Sequence, residues 1–308
     1  MLKTLFFCLS VYCITMLAPI ESQADGIAVI SHANIKPYQL AIAGFREQVN
    51  LPLHVYDLDN GGEQHGAIAL DIRQQQPQLI FALGKSALNF TRHMHFHVPV
   101  VFIFVLHPNN GSSGHQNQPS EFGIAMSVAP AQQFKMLINI APNVKVIGVV
   151  YDPKKSAFII QQAKVAAKKL DIHLVAISAG NQKMAAALIA SVMPKVDAMW
   201  MIPDVTVLTS TTLKQMLRLS LKYAVALIGL APKYVRAGCL FALSFDSRAI
   251  GSQAGAMAKK ILVGKKVANQ VPPNRVHFTL NKQAAKQLGL YLPPSLLKKV
   301  DHLYGESK

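Results

Sequence analysis

The sequence predicts an α/β protein of two lobes, each a mainly parallel sheet covered by helices and joined to the other by a hinge. Three observations carry this prediction. Short apolar runs alternate with longer amphipathic stretches along most of the chain. Several of the runs are apolar at consecutive positions, as strands covered on both faces require. A polar, turn-rich segment over 107–120, HPNNGSSGHQNQPS, breaks the series near its middle.

In chain order, strands are predicted over 26–31, 53–58, 79–83 and 98–106, then over 123–128 after the break. Ala129-Pro130 follows, and a second series is predicted over 145–151, 172–177, 198–202, 224–228 and 239–245. Amphipathic helices are predicted between them, for example over 156–170 and 210–223. Residues that can accept from free helix N–H groups follow the strands: Ser31, Ser86 after Gly84-Lys85, Asp152 before Pro153, and Asp204 after Pro203. A helix over 248–263 carries Gly251, Ala254, Gly255, Ala256 and Ala258, which permit close approach to a partner. It is expected to cross back onto the first lobe. The tail reads as a strand over 276–280, a helix over 282–288 and Pro293-Pro294. The expected division is an export signal at 1–24, a first lobe of 25–126 plus about 247–280, and a second lobe of 127–246 plus about 281–308.

The export signal is read from MLKTLFFCLSVYCITMLAPIESQA. Lys3 is followed by an apolar run of 13 residues, Leu5 to Leu17, and Ser22-Gln23-Ala24 offers small residues for cleavage after Ala24. The run is short for a bilayer span, and no later run reaches the length of one. The remainder of the chain then holds one thiol, Cys239, so its stability rests on its cores and not on crosslinks. The absence of paired cysteines excludes zinc ribbons. The net charge is +16. The basic residues are scattered as pairs such as Lys168-Lys169, without an aromatic and arginine platform, so solvated faces are expected and nucleic acid is not.

Ligands of open α/β sheets bind outside the carboxyl ends of the strands. The residues predicted there are Ser31, Tyr38, Lys85, Ser86, Phe104 and His107 in the first lobe. The second lobe offers Tyr151, Asp152, Ser156, Asp204 and Thr206, and Asp246 lies at the crossover. Ser86 at a helix start suits an anion, and Asp204 could hold an ammonium group, so together they suit a zwitterion. As isolated residues, both also read as plain helix caps. Common nucleotide-binding, metalloprotease and hydrolase motifs are absent. An exported hydrolase using Ser86 or Ser31 as nucleophile is an alternative reading. His93, His95 and His97 alternate, and would share one side of an extended segment but diverge at a helix end. No cofactor and no metal is expected.

Read together, SHANIKPYQLAIAGF, QPQLIFALGKSAL, VPVVFIFVLHP, APNVKVIGVVYDPKKS, VDAMWMIPDVTVLTSTTL, KYVRAGCLFALSFDSRAIGSQAGAMAKKILVG and FTLNKQAAKQLGLYLP span nearly all of 27–297. In this order they resemble the substrate-binding proteins of ABC transporters with the periplasmic-binding-protein type I fold, in the tryptophan/tyrosine-type group. The resemblance implies a periplasmic, monomeric protein that closes on a small polar or zwitterionic molecule, by default an amino acid, with the aromatic ones among the candidates. It would deliver this ligand to an inner-membrane permease, or act as the ligand-sensing partner of a membrane receptor. It implies ligand contacts at Ser31, Ser86, Asp152, Ser156 and Asp204, and near Tyr234. Two departures stand out. His107-Pro108 replaces an Asp-Pro of many relatives, and Ser120-Glu121-Phe122-Gly123 replaces their Asn-x-Thr-Gly turn.

Overall fold

The computed structural model describes residues 26–32, 35–58, 64–105, 120–126 and 128–305. The predicted export signal, His107 and most of the polar break lie outside the described residues.

The first sheet is built from β1 (Ile27–Ser31), β2 (Leu53–Asp57), β3 (Leu79–Leu83), β4 (Val100–Ile103), β5 (Glu121–Ile124) and β11 (Gln270–Val271). Its order is β11-β5-β4-β3-β1-β2, and every pairing is parallel. β1, β3 and β4 are buried along their whole length, which is why they read as unbroken apolar runs. One face of this sheet is covered by α1 (Lys36–Arg46) and α9 (Ser247–Leu262), the other by α2 (His65–Gln75) and α3 (Gly84–His93).

The second sheet contains β6 (Val146–Tyr151), β7 (His173–Ser178), β8 (Ala198–Trp200), β9 (Ala226–Gly229), β10 (Phe241–Ser244), β12 (His277–Asn281) and β13 (His302–Tyr304). Its order is β13-β12-β10-β9-β8-β6-β7, and β12 runs antiparallel to β10. α4 (Pro130–Ile140) and α5 (Pro153–Lys169) pack on one face, α6 (Gln182–Val192) and α7 (Ser210–Tyr223) on the other. The short helices α8 (Pro232–Ala237), α10 (Lys282–Gln287) and α11 (Pro294–Leu297) complete the order.

Most expected elements are present, with corrections. β4 is shorter than the 98–106 expected, because Pro99 precedes it and Phe104 turns to φ +61° just after it. β5 begins at Glu121 and not at Gly123. Glu121 there accepts two hydrogen bonds from Arg92, at 2.7 and 2.6 Å, which gives this departure from the usual turn a structural role. The strand expected over 276–280 joins the second sheet as β12, so the stretch expected to stay with the first lobe to about 280 leaves it after Val271. β11 and β13 were not predicted.

The return helix α9 does pack on the first sheet, against α1. A Cβ on Gly251 would overlap the Ala41 carbonyl oxygen, and one on Gly44 would overlap that of Arg248. The two helix backbones therefore touch, as the small residues of α9 allow. Arg248 also reaches Glu47 of the turn after α1.

Candidate functional site

The crossovers fix where a site can form. The chain leaves the first sheet at the carboxyl end of β5 to enter α4, and leaves the second at the carboxyl end of β10 to enter α9. The carboxyl edges of both sheets therefore meet the hinge. Phe245, between β10 and α9, packs against the cores of both lobes.

On the first lobe, Tyr38, Phe104 and the start of α3 come together. The Tyr38 and Phe104 rings stack with centroids 5.1 Å apart. Gly84 takes φ +88°, and a Cβ there would collide with the Tyr38 hydroxyl, so this hydroxyl lies over the first turn of α3. Burial pushes the Tyr38 phenol pKa up and keeps it a neutral donor. The residue preceding α3, Leu83, supplies no side-chain acceptor, so the first-turn N–H groups have no cap from it. Lys85 and Ser86 are exposed in that turn. Ser31, at the end of β1, is buried, and its carbonyl accepts from Leu58 N–H at 2.9 Å.

On the second lobe, Asp152, Ser156, Asp204 and Thr206 form one buried cluster. The Asp204 side chain, 1% exposed, accepts from Asp152 N–H at 2.7 Å, the Ser156 hydroxyl at 2.7 Å and Thr206 N–H at 3.0 Å. Asp152 accepts from Lys154 N–H at 2.9 Å, capping α5, and from the Thr206 hydroxyl at 2.8 Å. Lys155 Nζ donates to the Thr206 hydroxyl at 2.6 Å. The Thr206 hydrogen bond, aided by Lys154 N–H, holds the Asp152 carboxyl below the usual carboxylate range. The Asp204 carboxylate is turned toward donors of its own lobe. The carboxylate locks the end of β8 to the start of α5.

The remaining expected residues are placed separately. Tyr151 ends β6, half-buried against the core. Tyr234, in α8, packs on the opposite core under the Lys233 ammonium, 5.1 Å from its ring centre. Asp246 is exposed and caps α9 by accepting from Ala249 N–H at 2.9 Å. His93 ends α3, its Nδ1 2.7 Å from the Asn89 carbonyl, and His95 takes φ +49°. The three histidines thus follow the diverging, helix-end arrangement. Among the described residues no group of His, Cys, Asp and Glu side chains is placed to hold a metal ion.

Sequence reasoning missed an apolar cavity of about 190 Å³ beneath the hinge. Trp200, Met201 and Pro203 at the end of β8 line it, with Leu230 after β9 and Phe245 and Met126 from the crossovers. Among the described residues its one amide side chain, Gln133, is engaged at both ends: Oε1 accepts from Trp200 Nε1 at 2.9 Å, and Nε2 donates to the Val128 carbonyl at 2.8 Å. Trp200, the single tryptophan and the centre of a predicted strand, was the one signal available.

A family model described as "ABC transporter substrate binding protein" matches residues 52–303. The chain belongs to this family. Solved structures agree on the fold. A conserved domain protein from Vibrio cholerae matches at 22% identity and TM-score 0.63, over 91% of this chain and all of that one. An ABC domain from Streptococcus pneumoniae, solved with L-Trp, matches at 18% and 0.63, over 91% of this chain and 99% of that one. The ligand-free, open structure of CD0873, a substrate binding protein with adhesive properties from Clostridium difficile, matches at 18% and 0.73, over 91% and 100%. No functionally curated protein matches in sequence. The substrate-binding family is one of binding proteins and not enzymes, which displaces the hydrolase reading of Ser31 and Ser86. Membership implies a small-molecule ligand and a permease partner. Among the described residues no helix is long and apolar enough to cross a membrane.

Proposed function

We propose that this substrate-binding protein is a monomeric periplasmic receptor, exported by its N-terminal segment, that captures a small polar or zwitterionic ligand by closing its lobes and presents it to an inner-membrane permease. The amino acids are the ligand class we favour. The reading is supported by two chemically different surfaces, one at the start of α3 on the first lobe and one at the hinge. On the first lobe, the α3 start with Ser86 and the Tyr38 hydroxyl suits a carboxylate, through N–H and O–H donors and the positive helix end. At the hinge, Gln133 is the one polar side chain lining the cavity among the described residues and is already paired, so the cavity suits an apolar side chain. A cavity of about 150 Å³ holds benzene, so about 190 Å³ has room for an aryl or branched alkyl group. Tyr38, Phe104 and Tyr151 would cover it from the sides. Ser31, Asp152, Ser156 and Asp204 then shape the two strand edges, with Tyr234 and Asp246 steadying the segments on either side of β10.

Ligand contacts to both lobes stabilise only the closed form, and this difference drives closure. The test is native mass spectrometry of the protein purified without denaturation, followed by thermal-shift screening of the compounds released. One low-mass compound that co-purifies and restabilises the emptied protein is the expected result. A folded protein that nothing in a broad amino-acid and small-metabolite library stabilises would contradict the proposal.

A further inference from the structure

The basic charge is concentrated in a way the ligand site does not explain. Residues 129–170, which contain α4 and α5, hold seven lysines and one carboxylate, and this carboxylate, Asp152, is buried. α5 itself is two-faced. Ile159, Ile160, Ala163, Ala166 and Ala167 face the core. At 100° per residue, the opposite stripe brings Lys154, Phe158, Val165, Lys168 and Lys169 within an arc of about 100°. Phe158 is 61% exposed and Val165 57%, and both lie within that arc, with Lys168 and Lys169 at its two edges and Lys154 and Gln161 between them. Lys164 extends the margin on one side. Among the described residues no carboxylate forms a salt bridge with Lys164, Lys168 or Lys169.

We infer that the outer face of α5 is a docking surface for anionic phospholipid. Ammonium groups flanking bulky apolar side chains fit a lipid interface: the charges meet headgroup phosphates and the Phe and Val side chains enter the boundary with the acyl chains. A lipid surface needs no shape complement to a single convex helix, whereas a protein partner would. The face points away from the sheet that α5 covers, and the hinge cavity is lined from the opposite side of α5, by Ile159. Lipid docking would hold the protein at the membrane with its cleft free, and it requires no ligand.

The test is co-sedimentation of the protein with vesicles of phosphatidylcholine, with and without phosphatidylglycerol, at low and high salt. Each lysine near an anionic surface contributes about 1 kcal/mol, so Lys164→Ala, Lys168→Ala and Lys169→Ala together should weaken binding about a hundredfold. Phe158→Ser, which leaves the charge unchanged, should weaken it about tenfold. The control combines Lys259→Ala, Lys260→Ala and Lys266→Ala, exposed lysines associated with the first lobe, and should cost little. All these sites are exposed, and circular dichroism with thermal melts verifies that each variant is folded. Equal losses in the two triple variants would reduce the effect to net charge and overturn the inference. So would a parent protein with no preference for phosphatidylglycerol vesicles, including one that turns out to bind an acidic protein instead.

Discussion

Asp204 is the residue whose substitution separates a structural role from a ligand-holding one. In Asp204→Ala three donors lose their acceptor at once: the N–H groups of Asp152 and Thr206 and the hydroxyl of Ser156, held now at 2.7 to 3.0 Å. Each buried donor left unpaired costs about 1–3 kcal/mol. The Ser156 hydroxyl can rotate toward another acceptor, so the loss should come to about 3–5 kcal/mol, a large share of the usual 5–15 kcal/mol total. Asp204→Asn keeps an acceptor oxygen and should lose roughly half as much. Urea unfolding followed by tryptophan fluorescence is the assay, because the only tryptophan, Trp200, lies in the same lobe at the end of β8. A midpoint for Asp204→Ala close to that of the parent protein would refute the argument. Asp204 would then be an outward-facing ligand contact, and its loss would abolish binding while leaving stability intact.

Three further outcomes are expected. Gly251→Val should destabilise the first lobe by about 1–3 kcal/mol or more, because the new side chain must separate α9 from α1 at the Ala41 carbonyl; urea melts followed by circular dichroism measure it. Glu121→Gln should lower the urea midpoint by an amount corresponding to about 1–3 kcal/mol, since Arg92, 8% exposed, would exchange a charged acceptor for a neutral one. Asp152 and Asp301 have carboxyl pKa values lowered in the folded protein, Asp152 chiefly by the Thr206 hydroxyl and Asp301 chiefly by Phe278 N–H. Their stabilising contribution is therefore complete above the ordinary carboxylate range near pH 4 and is lost as pH falls through the lowered values. Thermal melts should stay level from neutral pH to about pH 5 and drop below about pH 4, with a shallower drop in Asp301→Asn.

What could be read from the sequence was set by locality. The helix α7 was predicted at its true bounds because its signals are local: a helical apolar period and Thr209, which caps it reciprocally with Thr212. β3 was equally plain, as five consecutive apolar residues between polar ones. β11 has two residues and β13 three, too few for any period to show. Their places are set by pairing with strands more than 20 residues away. Asp204 shows a different limit. An Asp after a strand reads the same whether its carboxylate faces a ligand or folds back on Asp152 and Ser156, and only the tertiary packing decides. The hinge cavity was hidden for the same reason, since Met126, Gln133, Trp200, Leu230 and Phe245 come from separate segments.

If the two strand edges close on each other around a ligand, the distance between spin labels at Lys36→Cys, at the start of α1, and Lys183→Cys, at the start of α6, both exposed, reports it. Cys239 will not take label, because it is fully buried and its thiol pKa is pushed up to about 12. Adding a mixture of the common amino acids to emptied protein should shift the distance distribution to a shorter, narrower peak, and dialysis should reverse it. An unchanged distribution under conditions where thermal shift shows binding would contradict the account.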